Sequence, residues 1–143
     1  MPIAKKMSPE AAREELARRA DAIEGGYEMM LAYAAQGLAS DQGAANSNQL
    51  RDHLKRFDDA LTGLAQSYRD CAAALGVGPK DALEGFLKTL AADAATTQAA
   101  LRLVMGQAGI SSQMIDNINA SIHVRALLTD VFIVDEIIKS ARS

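Results

Sequence analysis

The densest run of side chains able to line a pocket is Tyr27-Glu28-Met29-Met30-Leu31-Ala32-Tyr33, directly after Gly25-Gly26. Methionine and tyrosine together offer an adaptable apolar wall with a polar handle. Each glycine inside a helical segment costs about 1 kcal/mol relative to alanine. Such a pair needs a close helix approach, a kink or room for a ligand to offset it. Counting from the turn after the first segment, Asp58 or Asp59, Thr97 or Gln98, and His123 fall level with Glu28. Tyr27 and Thr97 belong to apolar stripes, so a polar layer is expected at mid-length, with Glu24, Glu28 and His123 as partners for buried hydroxyls. A ligand-binding reading of this layer uses Glu24, Tyr27, Glu28, Met30, Tyr33 and His123. The competing reading is that the methionines and tyrosines simply fill a core. The residues name no cofactor.

Other chemistries fit less well. A carboxylate-bridged di-iron bundle needs Glu three residues before His on two helices, but Leu50 and Ala120 precede His53 and His123. No metal site is expected. The single cysteine, Cys71, excludes an internal disulfide framework and a c-type haem attachment, and it falls in an apolar stripe as a small core residue. Gly76-Val77-Gly78-Pro79-Lys80 lacks the preceding strand that a phosphate loop requires. One histidine remains as a possible reaction centre. In Asp52-His53-Leu54-Lys55-Arg56, His53 flanks its stripe, and Lys55 and Arg56 offer cations for a phosphoryl group. Histidine phosphotransfer modules carry His-x-x-Lys-Gly, whereas Arg56 and Phe57 fill the last two places here. A solvated helix histidine is the plainer reading of His53.

Composition narrows the elements that must position these residues. The chain has 143 residues, of which 49% are hydrophobic and 4% aromatic, with 28 alanines and proline only at positions 2, 9 and 79. That argues for helices over strands and for one domain spanning residues 1–143. The net charge of −3 gives no basic face for nucleic acid. No apolar stretch follows Met1-Pro2-Ile3-Ala4-Lys5-Lys6, so no secretory signal is expected. The most apolar stretch, 127–138, contains Asp130, Asp135 and Glu136, so no membrane span is expected. A cytoplasmic location, where a lone thiol stays reduced, is the default.

Four segments of about 30 residues emerge, each roughly 45 Å long if helical. The first, 9–39, opens on Ser8-Pro9 and carries Leu16, Ala20, Ile23, Tyr27, Met30, Ala34 and Leu38 at helical spacing. The second, 47–75, carries Leu50, Leu54, Phe57, Leu61, Leu64, Tyr68, Cys71 and Leu75, the clearest heptad pattern in the chain, and Gly76 ends it. The third, 79–108, opens on Pro79 and carries Leu83, Leu87, Leu90, Ala94, Thr97, Leu101 and Val104. The fourth, 112–141, is capped by Ser111 or Ser112, with Lys139 and Arg142 in its last turn. Matched lengths and short connections predict an all-α, antiparallel up-down-up-down four-helix bundle. Hairpins exchanged between two subunits would bury the same stripes.

The fourth segment has two apolar faces. One holds Ile115, Ile118, Ile122, Ala126, Thr129, Ile133 and Ile137; the other holds Val124, Leu127, Leu128, Val131, Val134 and Ile138. A surface helix normally needs one. The second set is therefore assigned to an interface with a second copy, most simply in a homodimer, or with another protein. The functional expectation is a non-catalytic interaction or regulatory protein. The alternatives are the mid-bundle ligand site and phosphotransfer on His53.

Overall fold

The computed structural model describes residues 7–141. The expectations placed on residues 1–6 and on Arg142 lie outside the described residues. The fold is all-α, but it is not built from four continuous rods. Among the described residues six helices form: α1 (Pro9–Ala35), α2 (Ser47–Leu61), α3 (Leu64–Leu75), α4 (Lys80–Met105), α5 (Ser112–Ala120) and α6 (Ile122–Ser140). The second and fourth expected segments are each split in two.

Local chemistry accounts for most ends. The Ser8 hydroxyl accepts from the Ala11 amide at 3.1 Å, and Pro9 takes the first helical position of α1, where its missing N–H costs nothing. Gly76, at φ +70°, closes α3, and Pro79 precedes α4. Ser111 caps α5, accepting from the Met114 amide at 3.0 Å.

The first split falls at Thr62-Gly63. Thr62 is extended, and Gly63 takes φ +77°, a conformation only glycine adopts cheaply. The freed carbonyls do not go unpaired. Arg19 on α1 donates to the Ala60 and Thr62 carbonyls at 2.9 and 2.6 Å. From the other side, Gln98 on α4 donates to the Asp58 carbonyl and the Thr62 hydroxyl. The apolar stripe keeps its register across the split: Leu50, Leu54, Phe57, Leu61, Leu64, Tyr68 and Cys71 are all buried.

The second split, at Ser121, does change the face. Ser121 is extended, ends α5 and caps α6 by accepting from the Val124 amide at 3.3 Å. Ile115 and Ile118 point into the core as expected, but beyond the split the core positions pass to Val124, Leu127, Val131, Val134 and Ile138. The expected continuous stripe is thereby corrected: Ile122, Ile133 and Ile137 are exposed.

Helix α1 packs on α2, α3 and α5, while α4 packs on α2, α3, α5 and α6. Phe57 lies beside Gly26, and Arg19 reaches Ala60, so α1 and α2 run antiparallel. A Cβ on Gly26 would come within 2.7 Å of the Phe57 ring, so this glycine is required by close approach. Its neighbour Gly25 has room, with the His53 ring 3.6 Å from the position of a Cβ.

Candidate functional site

The residues of the expected mid-length layer do not converge. Met30 and Tyr33 are fully buried in the core, Tyr27 is half-buried, and Glu24, Glu28 and His123 are exposed. Thr97 is buried as expected, but its hydroxyl donates to the His123 backbone carbonyl at 3.3 Å and does not meet a charged side chain. Tyr33 serves the end of the molecule: its hydroxyl donates to the Ile110 carbonyl, and its own carbonyl accepts from the Ser112 hydroxyl at 2.6 Å. Burial and the nearby Asp41 charge push the Tyr33 phenol above its ordinary pKa.

His53 is half-buried in a groove lined by Arg18, Asp21, Ala22, Gly25 and Arg56. The flanking cations already face carboxylates of their own helix, Lys55 with Asp59 and Arg56 with Asp52. Among the described residues, no group of three or more His, Cys, Asp or Glu side chains is arranged to hold a metal ion. Nor is any described helix long and apolar enough to cross a membrane. Cys71 is buried.

The fourth segment's two faces exchange the roles expected of them. Val124, Leu127, Val131, Val134 and Ile138 are buried in the chain's own core, and Leu128 packs against it. A side chain already covered by its own chain is not available to a partner, so the interface assignment of this set is corrected. The outward face instead carries Ile122, Phe132, Ile133 and Ile137, exposed by 72, 64, 45 and 43%. Other helices show at most one exposed large apolar residue each, such as Leu31 on α1 and Leu103 on α4. The stray ones are normal for any protein surface. Four on one helix, at helical spacing, form a face.

The two hydroxyls on that face have partners within the helix. The Thr129 hydroxyl donates to the Arg125 carbonyl at 2.9 Å, and the Ser140 hydroxyl donates to the Ile137 carbonyl at 2.8 Å. Covering the face would therefore orphan neither hydroxyl. Arg125 and Glu136 stand exposed on the same side as Phe132, one toward each end of the helix. Spacings of seven and four residues along Arg125-Phe132-Glu136 keep all three on one line.

Along the edge of this face, α4 and α6 bring two carboxylates together. Asp130 is buried, one of its oxygens has no hydrogen-bond partner, and Asp93 of α4 lies within hydrogen-bonding reach. Burial first, and the Asp93 carboxyl second, push the Asp130 pKa up to about 7. Sequence pattern gave no warning of it, since the two residues are 37 positions apart and each looks like an ordinary helix aspartate.

A second buried carboxyl meets the opposite surroundings. Asp41 accepts from Arg51 at 2.7 and 3.2 Å, from the Ser47 hydroxyl at 2.7 Å and from the Ile110 amide at 2.7 Å. Arg51 also donates to the Met105, Gln107 and Ala108 carbonyls. The Arg51 guanidinium, with help from the Ile110 amide and Ser47, holds the Asp41 carboxyl far below the usual carboxylate range. This cluster ties the α1–α2 connection to the α4–α5 connection. Gly109 lets them touch, since a Cβ there would collide with the Ser40 hydroxyl.

No family model, curated protein or solved structure matches the chain.

Proposed function

We propose that the protein works by association and not by catalysis, as an interaction or regulatory protein that self-associates through the outer face of α6. The observation that carries this reading is the exposure of Ile122, Phe132, Ile133 and Ile137 on one helix. Leaving such a face in water is unfavourable at about 25 cal/mol per Å² of apolar surface, and a soluble chain rarely keeps a contiguous patch exposed without a use for it. Asp130 of the α4/α6 carboxylate pair is buried, and the two histidines stand apart on different helices, which gives catalysis little to work with.

The test is oligomeric state by light scattering across a concentration series, with Phe132→Asp and Ile133→Asp beside the parent chain. The expected result is a concentration-dependent dimer that each substitution weakens by two orders of magnitude or more, with helicity by circular dichroism unchanged. Val131→Glu serves as the contrast. Val131 lies in the core, so that substitution should unfold the chain and not merely dissociate it. A parent chain that remains monomeric at hundreds of micromolar would overturn the reading.

A further inference from the structure

The isoleucine stripe on the outer face of α6 is palindromic in its spacing, although Phe132 at its edge has no exposed mate. Ile122 and Ile137 lie equally far on either side of a point between Thr129 and Asp130, and so do Ala126 and Ile133. A stripe that reads alike from both ends is complementary to its own copy laid head to tail. In such a pairing isoleucine meets isoleucine at the two ends, and small residues meet isoleucine nearer the middle, which lets the helix axes approach to 8–10 Å or so.

The charges on the face break this symmetry in a useful way. Arg125 belongs to the first half of α6 and Glu136 to the second, on the same edge. A parallel pair would turn the edge carrying Arg125 and Glu136 toward the opposite edge of the copy, where Ile137 lies, and leave both charges without a counterpart. An antiparallel pair sets each Arg125 against the Glu136 of the copy, twice per dimer, and also opposes the helix dipoles. The two hydroxyls on the face, Thr129 and Ser140, are already bonded to their own helix and do not resist burial.

We infer that the occupant of this face is a second copy of the chain, with the two α6 helices packed antiparallel about a two-fold axis level with Thr129 and Asp130, and with Arg125 paired to Glu136 across it. This inference rests on the association reading above and adds the partner's orientation and the pairs that set it.

Two measurements test it. In the first, an Ile122→Cys chain is mixed with an Ile137→Cys chain under mild oxidation, the parent chain with its buried Cys71 serving as the control. The antiparallel arrangement predicts a disulfide between unlike chains as the main product. In the second, Arg125→Glu and Glu136→Arg are made singly and together, and the dimer dissociation constant is measured. Each single change should weaken the dimer roughly tenfold, and the double change should restore most of the loss. Disulfides formed only between like chains, or a double variant as weak as the sum of the singles, would overturn the antiparallel pairing while leaving association through α6 intact. A parent chain that never dimerises would overturn both.

Discussion

Asp41 and Asp130 are both buried aspartates, and the molecule treats them in opposite ways. Asp41 receives four hydrogen bonds, two of them from a guanidinium, and is held ionised well below the ordinary carboxylate range. Asp130 receives no such donors. It faces a second carboxyl and is pushed up to about 7. The contrast separates two regions. The end of the molecule around Asp41 is a polar lock, in which two connections are joined by charge-assisted bonds. The α4/α6 seam around Asp130 carries an electrostatic cost, and it adjoins the exposed face through which the chain is proposed to associate. A buried charge consolidates a fold only where donors meet it.

The comparison is broken most severely by Asp41→Ala. It leaves Arg51 without its carboxylate and the Ile110 amide without an acceptor, so stability should fall by about 3 kcal/mol in chemical denaturation. The pH profile of that loss sharpens the point. The folded-state pKa of Asp41 is depressed, so its contribution is present above the unfolded value near 4 and is lost as pH falls further. The Asp41→Ala chain should therefore show a flatter acid limb than the parent.

Asp130→Asn should act in the other direction. A carboxyl whose pKa is raised on folding favours the fold while it keeps its proton, and that advantage fades as pH rises from about 4 toward 7. Above that range the parent bears the full cost of ionising Asp130. Thermal melts at pH 8 should show Asp130→Asn more stable than the parent by about 1–2 kcal/mol, with the difference vanishing near pH 4. Asp93→Asn should give the smallest effect. It removes only the neighbouring charge and leaves the burial that is the larger cause, so the gain at pH 8 should be under about 1 kcal/mol. If Asp93→Asn matched Asp130→Asn, charge repulsion rather than burial would govern the seam.

Much of the helical framework was legible in the residues. Ser8-Pro9, Gly76 and Pro79 marked helix ends because each acts through local backbone chemistry. The stripe from Leu50 to Cys71 marked a buried face because its spacing suits a helix, and it survived a split that left its register unchanged. The splits themselves were missed. Gly63 and Ser121 look unremarkable within otherwise helical runs. What opens the chain at Gly63 is the capture of freed carbonyls and the Thr62 hydroxyl by Arg19 and Gln98, which are far away in sequence. At Ser121 the split shifts the phase of everything after it. A sequence with two apolar faces on α6 could not reveal which face would turn inward.

The candidate site followed the same division. That the fourth segment has one apolar face more than a core requires was fixed by residue types alone. Which set is spare was decided by the Ser121 split, because a change of phase rotates side chains that spacing treats as continuous. The Tyr27–Tyr33 run, its glycine pair and His123 attracted attention through side-chain chemistry, yet tertiary packing sent Met30 and Tyr33 into the core and left His123 on the surface. Amino-acid sequence determines periodicity and local caps because those depend on neighbours within a turn or two. The meeting of Asp93 with Asp130, of Asp41 with Arg51 and Ile110, and the choice of outward face on α6 belong to the tertiary structure, because each depends on which helix lies against which.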